Sequence, residues 1–491
     1  MSSLILIAPE IGLTLLALGI LTAEVFAPRV RTFWIRLAVI GLLAALAHQL
    51  IFFVTGAVPG AESLGISPIN VKGGWVEYPL VYGMISADSL AAFFKLGLLA
   101  AVILILWLSI DYREFKESAL GTYAALMLLA TVGMMLMVES TDLLLTVLAL
   151  ELLSIASFIL VGYAAGRKSS SEGAVKYFLV GTLSTALFLY GTSFYYAYFG
   201  TTGIQPLLQL AAGSSGSDLT LMMVLVFLLS GIGFKLAMVP FHMWAPDAYE
   251  GAPTPITAFL SVAPKAAAVG FLLRLLGHHD ALGITPLLAV IAAVTMTVGN
   301  VGALQQTNMK RMLAYSSIAQ IGYILVAFVA GGSLGTQAVM LYTFLYLFMN
   351  LGVFAVLVTV SNQTHSDEVP TFAGLYQKSM GLSLVMLLFL LSLTGIPPLA
   401  GFIGKFTIFA AVLTHPSLLW LAIVAVLNSV ISLFYYFRIV QQMFFKEPAD
   451  PIQPRYSASL VCCLGVTLFI TVATGLFPDR ILAWVRNVIG S

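Results

Sequence analysis

Charge is what this sequence has least of. Only 9% of its 491 residues are Asp, Glu, Lys or Arg, and the formal net charge is +1. A soluble domain carries about 25% charged residues. Without a basic excess there is no field to gather nucleic acid. Long polar stretches are missing as well: residues 56–84 form the longest, which leaves no room for a soluble domain. Cysteine is confined to Cys462 and Cys463, neighbours inside one apolar run. Two such residues make no metal site and read as packing. No basic residue precedes the first apolar run and Glu10 lies within it, so the N-terminus does not read as a cleavable signal peptide.

What is abundant is apolar surface, at 60% of residues. Membrane-length apolar stretches recur from end to end, which predicts an all-α polytopic membrane protein of about fourteen helices. The predicted spans are 3–25, 33–55, 84–108, 120–137, 141–164, 173–199, 218–241, 254–276, 284–302, 311–331, 336–360, 381–412, 418–442 and 457–477. The twelfth exceeds one crossing and holds GIPPLAG in its middle, so it reads as long and broken.

The cations orient the chain. Arg29, Arg31, Arg36, Arg113, Lys116, Arg167, Lys168, Lys310, Arg311, Lys378, Arg438, Lys446 and Arg455 fall on one side, and only Lys72, Arg274, Arg480 and Arg486 on the other. The positive-inside rule then puts both termini on the periplasmic side of a bacterial membrane.

Five cations remain within spans: Lys95, Lys176, Lys235, Lys265 and Lys405. None is arginine, although the chain has eleven of each. A desolvated lysine can release its proton and an arginine cannot, so the choice suggests groups that change protonation. With Glu151 in the fifth span they add about 15 kcal/mol on insertion scales. That cost is comparable with the whole stability of a typical protein, which argues against decoration. Ser154 and Phe158 share the face of Glu151. Lys235 is its candidate partner, with Lys176 as competitor.

Polar side chains recur at helical spacing in later spans: Ser316, Gln320 and Tyr323; Tyr342, Tyr346 and Asn350; Asn428, Ser432 and Tyr435. One stripe is interhelical glue; three beside Lys265 and Lys405 suggest a hydrated proton wire. Lys235 precedes Pro240, whereas Pro397 and Pro398 precede Lys405. Two breaks in opposite order are what an inverted-repeat transporter would show.

PFHMWAPDAYEGAPTPITAFLSVAPKAA (240–267), NMKRMLAYSSIAQIGYILV (308–326) and SLTGIPPLAGFIGKFTIF (392–409) carry a specific resemblance. Across roughly residues 80–445 the chain resembles the antiporter-like, proton-channel subunits of complex I, most closely the subunit N type of bacterial NADH-quinone oxidoreductase. The resemblance implies inverted repeats at helices 4–8 and 9–13, with helices 7 and 12 discontinuous. The domains would be 1–119 (helices 1–3), 120–276 (first repeat), 284–442 (second repeat) and 457–491 (helix 14). It further implies Glu151 paired with Lys235, Lys265 as central relay, Lys405 as terminal lysine and Lys176 as a further relay lysine. NADH, FMN, iron–sulfur clusters and quinone would sit in other subunits, with no cofactor or metal in this one. This chain lacks a GxGxxG motif and a cysteine cluster. Expected neighbours are subunits M and K, the lateral helix of subunit L, and the lipid bilayer. Lysine in GFIGKF departs from subunit M, which has glutamate there. The chain also stops soon after span fourteen, without the lateral helix of subunit L. A subunit of a multi-subunit sodium/proton antiporter is the alternative function.

Other candidates receive structural readings. His242 reads as helix-end architecture, His278 and His279 as solvated, and Glu10 and Glu24 as snorkelling at the ends of span one. Lys95 has Asp88 two turns earlier as a local tether. Residues 203–211 read as a short interfacial helix.

Overall fold

The structure is a computed structural model that describes residues 2–26, 31–61, 63, 66–68, 70–72, 75–78, 81–115, 119–164, 166–213, 219–277, 279–447 and 456–489. Arg29, Lys116, His278 and Arg455 lie outside the described residues.

Hydrocarbon cannot hydrogen-bond a peptide group, so apolar runs of this length must satisfy their backbones as helices. The helices are α1 (Ala8–Phe26), α2 (Arg31–Thr55), α3 (Ser89–Ile110), α4 (Leu120–Glu139), α5 (Leu143–Val161), α6 (Lys168–Phe199), α7 (Gln205–Gly213), α8 (Leu219–Leu236), α9 (Trp244–Gly251) and α10 (Thr254–Leu276). There follow α11 (Thr285–Leu304), α12 (Met309–Ala330), α13 (Gly332–Thr364), α14 (Leu375–Lys378), α15 (Met380–Thr394), α16 (Ala400–Leu413), α17 (Leu419–Phe445), α18 (Ala458–Leu476) and α19 (Pro478–Ile489). A small antiparallel ribbon, β1 (Asn70–Lys72) with β2 (Trp75–Glu77), lies in the polar stretch between α2 and α3.

Among the described residues thirteen helices are long and apolar enough to cross a membrane, and the short α15 and α16 supply the fourteenth crossing between them. The chain is an integral, multi-pass membrane protein. Caps mark where crossings begin: the carboxylate of Asp142 accepts from the Leu144 and Leu145 amides, and Asn308 caps α12 through the Arg311 amide. The crossings form an inner group wrapped by outer ones. The apolar window of α10 is wholly buried and those of α3, α12 and α13 nearly so, whereas only a third is buried in α1, α2 and α6.

The seventh crossing ends earlier than its apolar run suggested. Helix α8 stops at Leu236, because Ala237 turns left-handed (φ 55°) and the Met238 amide donates back to the Gly233 carbonyl. Pro240 therefore lies in the turn after the crossing, and the chain resumes in the short α9. The twelfth crossing breaks as its length foretold. Gly395 is left-handed (φ 96°), the Ile396 amide returns to the Leu391 carbonyl, and α16 restarts at Ala400.

Candidate functional site

Three lysines sit where a helix is interrupted, and each interruption has its freed carbonyl capped. At the end of α8, which carries Lys235, the Phe234 carbonyl accepts from the Trp244 indole at 3.0 Å. In α10, Pro264 cannot donate to the Leu260 carbonyl, and the Tyr249 hydroxyl does so instead at 3.0 Å, one residue from Lys265. At the second break Lys405 itself is the cap. Its Nζ reaches back to the Thr394 carbonyl at 2.8 Å and to Ser429 Oγ at 2.9 Å. Pro264 was not singled out in the sequence, because a proline within an apolar helix gives no sign of what will replace its hydrogen bond.

Lys235 is 1% exposed and lies among the rings of Phe158, Tyr177 and Phe234, at 5.3–5.9 Å from their centroids. Its hydrogen-bond partner is the Tyr177 hydroxyl at 3.4 Å. Glu151, half-buried on α5, acts on this ammonium through space, but the two make no direct ion pair here. Ser154, expected to extend the polar face of Glu151, turns its hydroxyl to the Leu150 carbonyl of its own helix.

Lys176 does not join the buried line. It is 45% exposed and pairs with Glu172 at 2.7 Å and Asp247 at 2.8 Å. Asp247 also accepts from Arg311, which holds Glu250 as well. Burial alone would push the Asp247 carboxyl up, yet the hydrogen bonds from Lys176 and Arg311 outweigh it and hold it below the ordinary range. Beside it Lys310, expected in a loop, is buried between Asp367 and the Ala252 carbonyl. His242 is half-buried in the turn before α9, and burial lowers its imidazole below the usual histidine range. The turn and α9 are thus clamped by charge at the surface end of the seventh crossing.

Lys265, 1% exposed, donates to Ser317 Oγ at 2.6 Å and has no carboxylate in ion-pair contact among the described residues. From Ser317 the polar side chains climb α12. Ser316 meets the Tyr436 hydroxyl at 2.5 Å, and Gln320 accepts from Tyr342 at 2.5 Å and donates to Tyr436 at 3.4 Å. Tyr323, two turns on from Ser316, places its ring 4.4 Å from the Lys405 ammonium. All of these are buried. The other stripes pack against this one: Asn350 donates to Ser261 on α10, and Asn428 and Tyr435 both bind Asn300. Between Lys235 and Lys265 stand rings instead, with Tyr177 stacked on Trp244 at 4.2 Å and Tyr249 beyond it. Asn300, Ser317, Thr394, Ser429 and Tyr436 were missed in the sequence. A hydroxyl or amide inside an apolar helix is cheap enough to be common, and its partner lies on another helix.

Four further residues correct their sequence readings. Lys95 pairs with Glu10 at 2.6 Å and with Glu139, not with Asp88. Asp88 caps α3 and accepts from both terminal guanidinium nitrogens of Arg274, so a partly buried arginine too lies within a crossing. Glu24 caps α4 from α1, accepting from the Gly121 and Thr122 amides at 2.6 Å each. His279 is 1% exposed, stacked on Phe328 and bonded to the Leu276 and Val329 carbonyls.

Among the described residues no group of acidic, histidine or cysteine side chains could hold a metal ion. The family described as NADH:quinone oxidoreductase/Mrp antiporter, TM, matches residues 140–432. NADH-quinone oxidoreductase subunit N 2 of Chloroherpeton thalassium is 38% identical over 97% of this chain and 93% of its own. Subunit N of Desulforamulus reducens is 42% identical over 87% and 88%. A chain of respiratory complex I from Thermus thermophilus superposes with a TM-score of 0.76 at 29% identity, covering 98% of this chain and 99% of that one. A chain of the Mrp complex from a Dietzia species shares the fold, with a TM-score of 0.83 at 21% identity.

Proposed function

Because the chain belongs to the NADH:quinone oxidoreductase/Mrp antiporter family of membrane subunits, with subunit N of NADH-quinone oxidoreductase among its relatives, we propose that it moves protons through the membrane arm of such an oxidoreductase. Protons pass from cytoplasm to periplasm, driven by quinone reduction in other subunits. This subunit contributes no redox centre; NADH, FMN, iron–sulfur clusters and quinone belong to its partners. The protein sits in the inner membrane of a bacterium with both termini periplasmic, beside subunits M and K and the lateral helix of subunit L. Crossings 4–8 and 9–13 form inverted repeats, the first interrupted after Leu236 of the seventh crossing and the second at Gly395 of the twelfth.

The observation that carries this reading is the buried polar line from Lys265 through Ser317, Gln320 and Tyr323 to Lys405. An uncompensated ammonium is expensive in a desolvated site, whereas a neutral amine is not, so Lys265 is suited to receive a proton and pass it on. Glu151 acts through space on the Lys235 ammonium at the near end, and Lys176 with Asp247 guards the approach from the cytoplasm. Lys405, past the second break, controls release to the periplasm.

The test is proton pumping by the assembled complex in membrane vesicles. Lys235→Ala and Glu151→Ala should each impair pumping while assembly persists, and the double variant should lose less than the sum. Wild-type rate and stoichiometry in both single variants would reduce the pair to architecture. Because the family also includes antiporter members, pumping is followed with and without sodium. A strict sodium requirement would favour the antiporter function instead.

A further inference from the structure

A second cluster of ionisable groups lies away from this line, toward the N-terminal end of α1. Lys95 on α3 is held between two carboxylates, Glu10 of α1 and Glu139 of α4, and all three side chains are at most 3% exposed. Glu10 Oε2 and Glu139 Oε2 have no hydrogen-bond donor, and neither does the buried Gln49 Oε1 on α2. Among the described residues, the other charges facing the cluster are Asp88 and Arg274, already closed on one another by two hydrogen bonds. Glu77 acts on Arg274 from β2 and is only partly buried, so its charge is solvated. His48, in Coulomb range of Lys95 and Glu10, has both ring nitrogens unpartnered.

The balance is uneven. Glu10, Glu139 and Asp88 supply three negative charges and Lys95 and Arg274 two positive ones, leaving one buried carboxylate uncompensated. Such a charge is strongly unfavourable in a low-dielectric interior unless the group takes up a proton. We propose that Glu10, Lys95 and Glu139 form a second proton-binding site, separate from the Lys235–Lys405 line, that holds one exchangeable proton shared by its two carboxyls. An otherwise apolar cleft of about 330 Å³ between α1 and α2, lined by Pro9, Gly12, Gly41, Ala45 and His48, meets the site only through His48, which is therefore the group placed to carry the proton in and out. Phe94 and Val138, packed tightly against Gly270 of α10, insulate the site from Lys265. Among the described residues no hydrogen bond joins the two.

Infrared spectroscopy of the full chain in lipid tests the proposal through the carbonyl stretch of protonated carboxyl groups. At neutral pH the wild type should show one such group that is absent from both Glu10→Gln and Glu139→Gln, since either change leaves Lys95 with a single carboxylate. Lys95→Met should instead gain one, because both carboxyls must then be neutral. The wild-type band should shift on transfer to heavy water. A band unchanged in both glutamine variants, lost from only one of them, or inert to heavy water would overturn the shared, exchangeable proton. If Lys95→Met does not fold, the two shape-preserving glutamine variants decide alone.

Discussion

Lys265 has a hydroxyl partner and no counter-ion, so the identity of its head group should matter more than its charge. In assembled complex, Lys265→Arg should impair pumping almost as much as Lys265→Ala. The expected loss is about 100-fold, the low end of what a positioned proton-transfer group supplies. Normal turnover in the arginine variant would show that fixed charge is sufficient. The lysines of this line were legible in the sequence because an ammonium in an apolar run is too expensive to be accidental. Their partners were not. Asp88 lies two turns before Lys95 and looked like its tether, yet its carboxylate faces the start of α3 and Arg274. Glu10 looked free to snorkel because only the packing of α1 against α2 and α4 reveals that it is covered.

At the level of the element, the second break depends on a close backbone contact. A Cβ on Gly401 would lie 1.7 Å from the Ser392 carbonyl oxygen, where α16 crosses the end of α15. Gly401→Ala should therefore destabilise the chain by about 1–3 kcal/mol, as overpacking does, read as a lower thermal midpoint in lipid. Gly381→Ala, with open space around it, is the control. The clamp on α9 should be sensitive to acid. The Asp247 carboxyl is held below its ordinary range, so the clamp is complete above that range and weakens as pH falls through the folded value. Hydrogen exchange of residues 244–251, corrected for its intrinsic pH dependence, should rise on acidification, and Arg311→Gln should shift the onset to higher pH. The twelfth crossing was readable as broken because glycine and two prolines mark it. The seventh was placed five residues too long: an alanine makes the left-handed turn, and alanine does not advertise one.

Across the whole molecule, the polar stripes do not mark the inner crossings, since α17 carries one and is only a third buried, but the number of crossings follows from apolar length, which the sequence shows. How the first helices join the remainder does not, since it rests on single contacts between distant segments. Glu24 makes one of them, closing the first turn of α4 from α1. Glu24→Ala should destabilise the chain by about 1–2 kcal/mol, the upper range for loss of a helix cap. The thermal midpoint in lipid reports it, and an unchanged midpoint would mean that water replaces the carboxylate without loss.

Helix α18 meets the second break at one point. Gly475 lies against the Pro398 carbonyl and the Leu399 backbone so closely that a Cβ would come within 2.0 Å of the oxygen. Helix α18 thereby works as a strut. Pro398 and Leu399 cannot move toward α18 at this point without a clash between backbones. Motion at the break is therefore a one-sided hinge with a hard stop, and the spacing between residues 398 and 475 becomes its natural gauge.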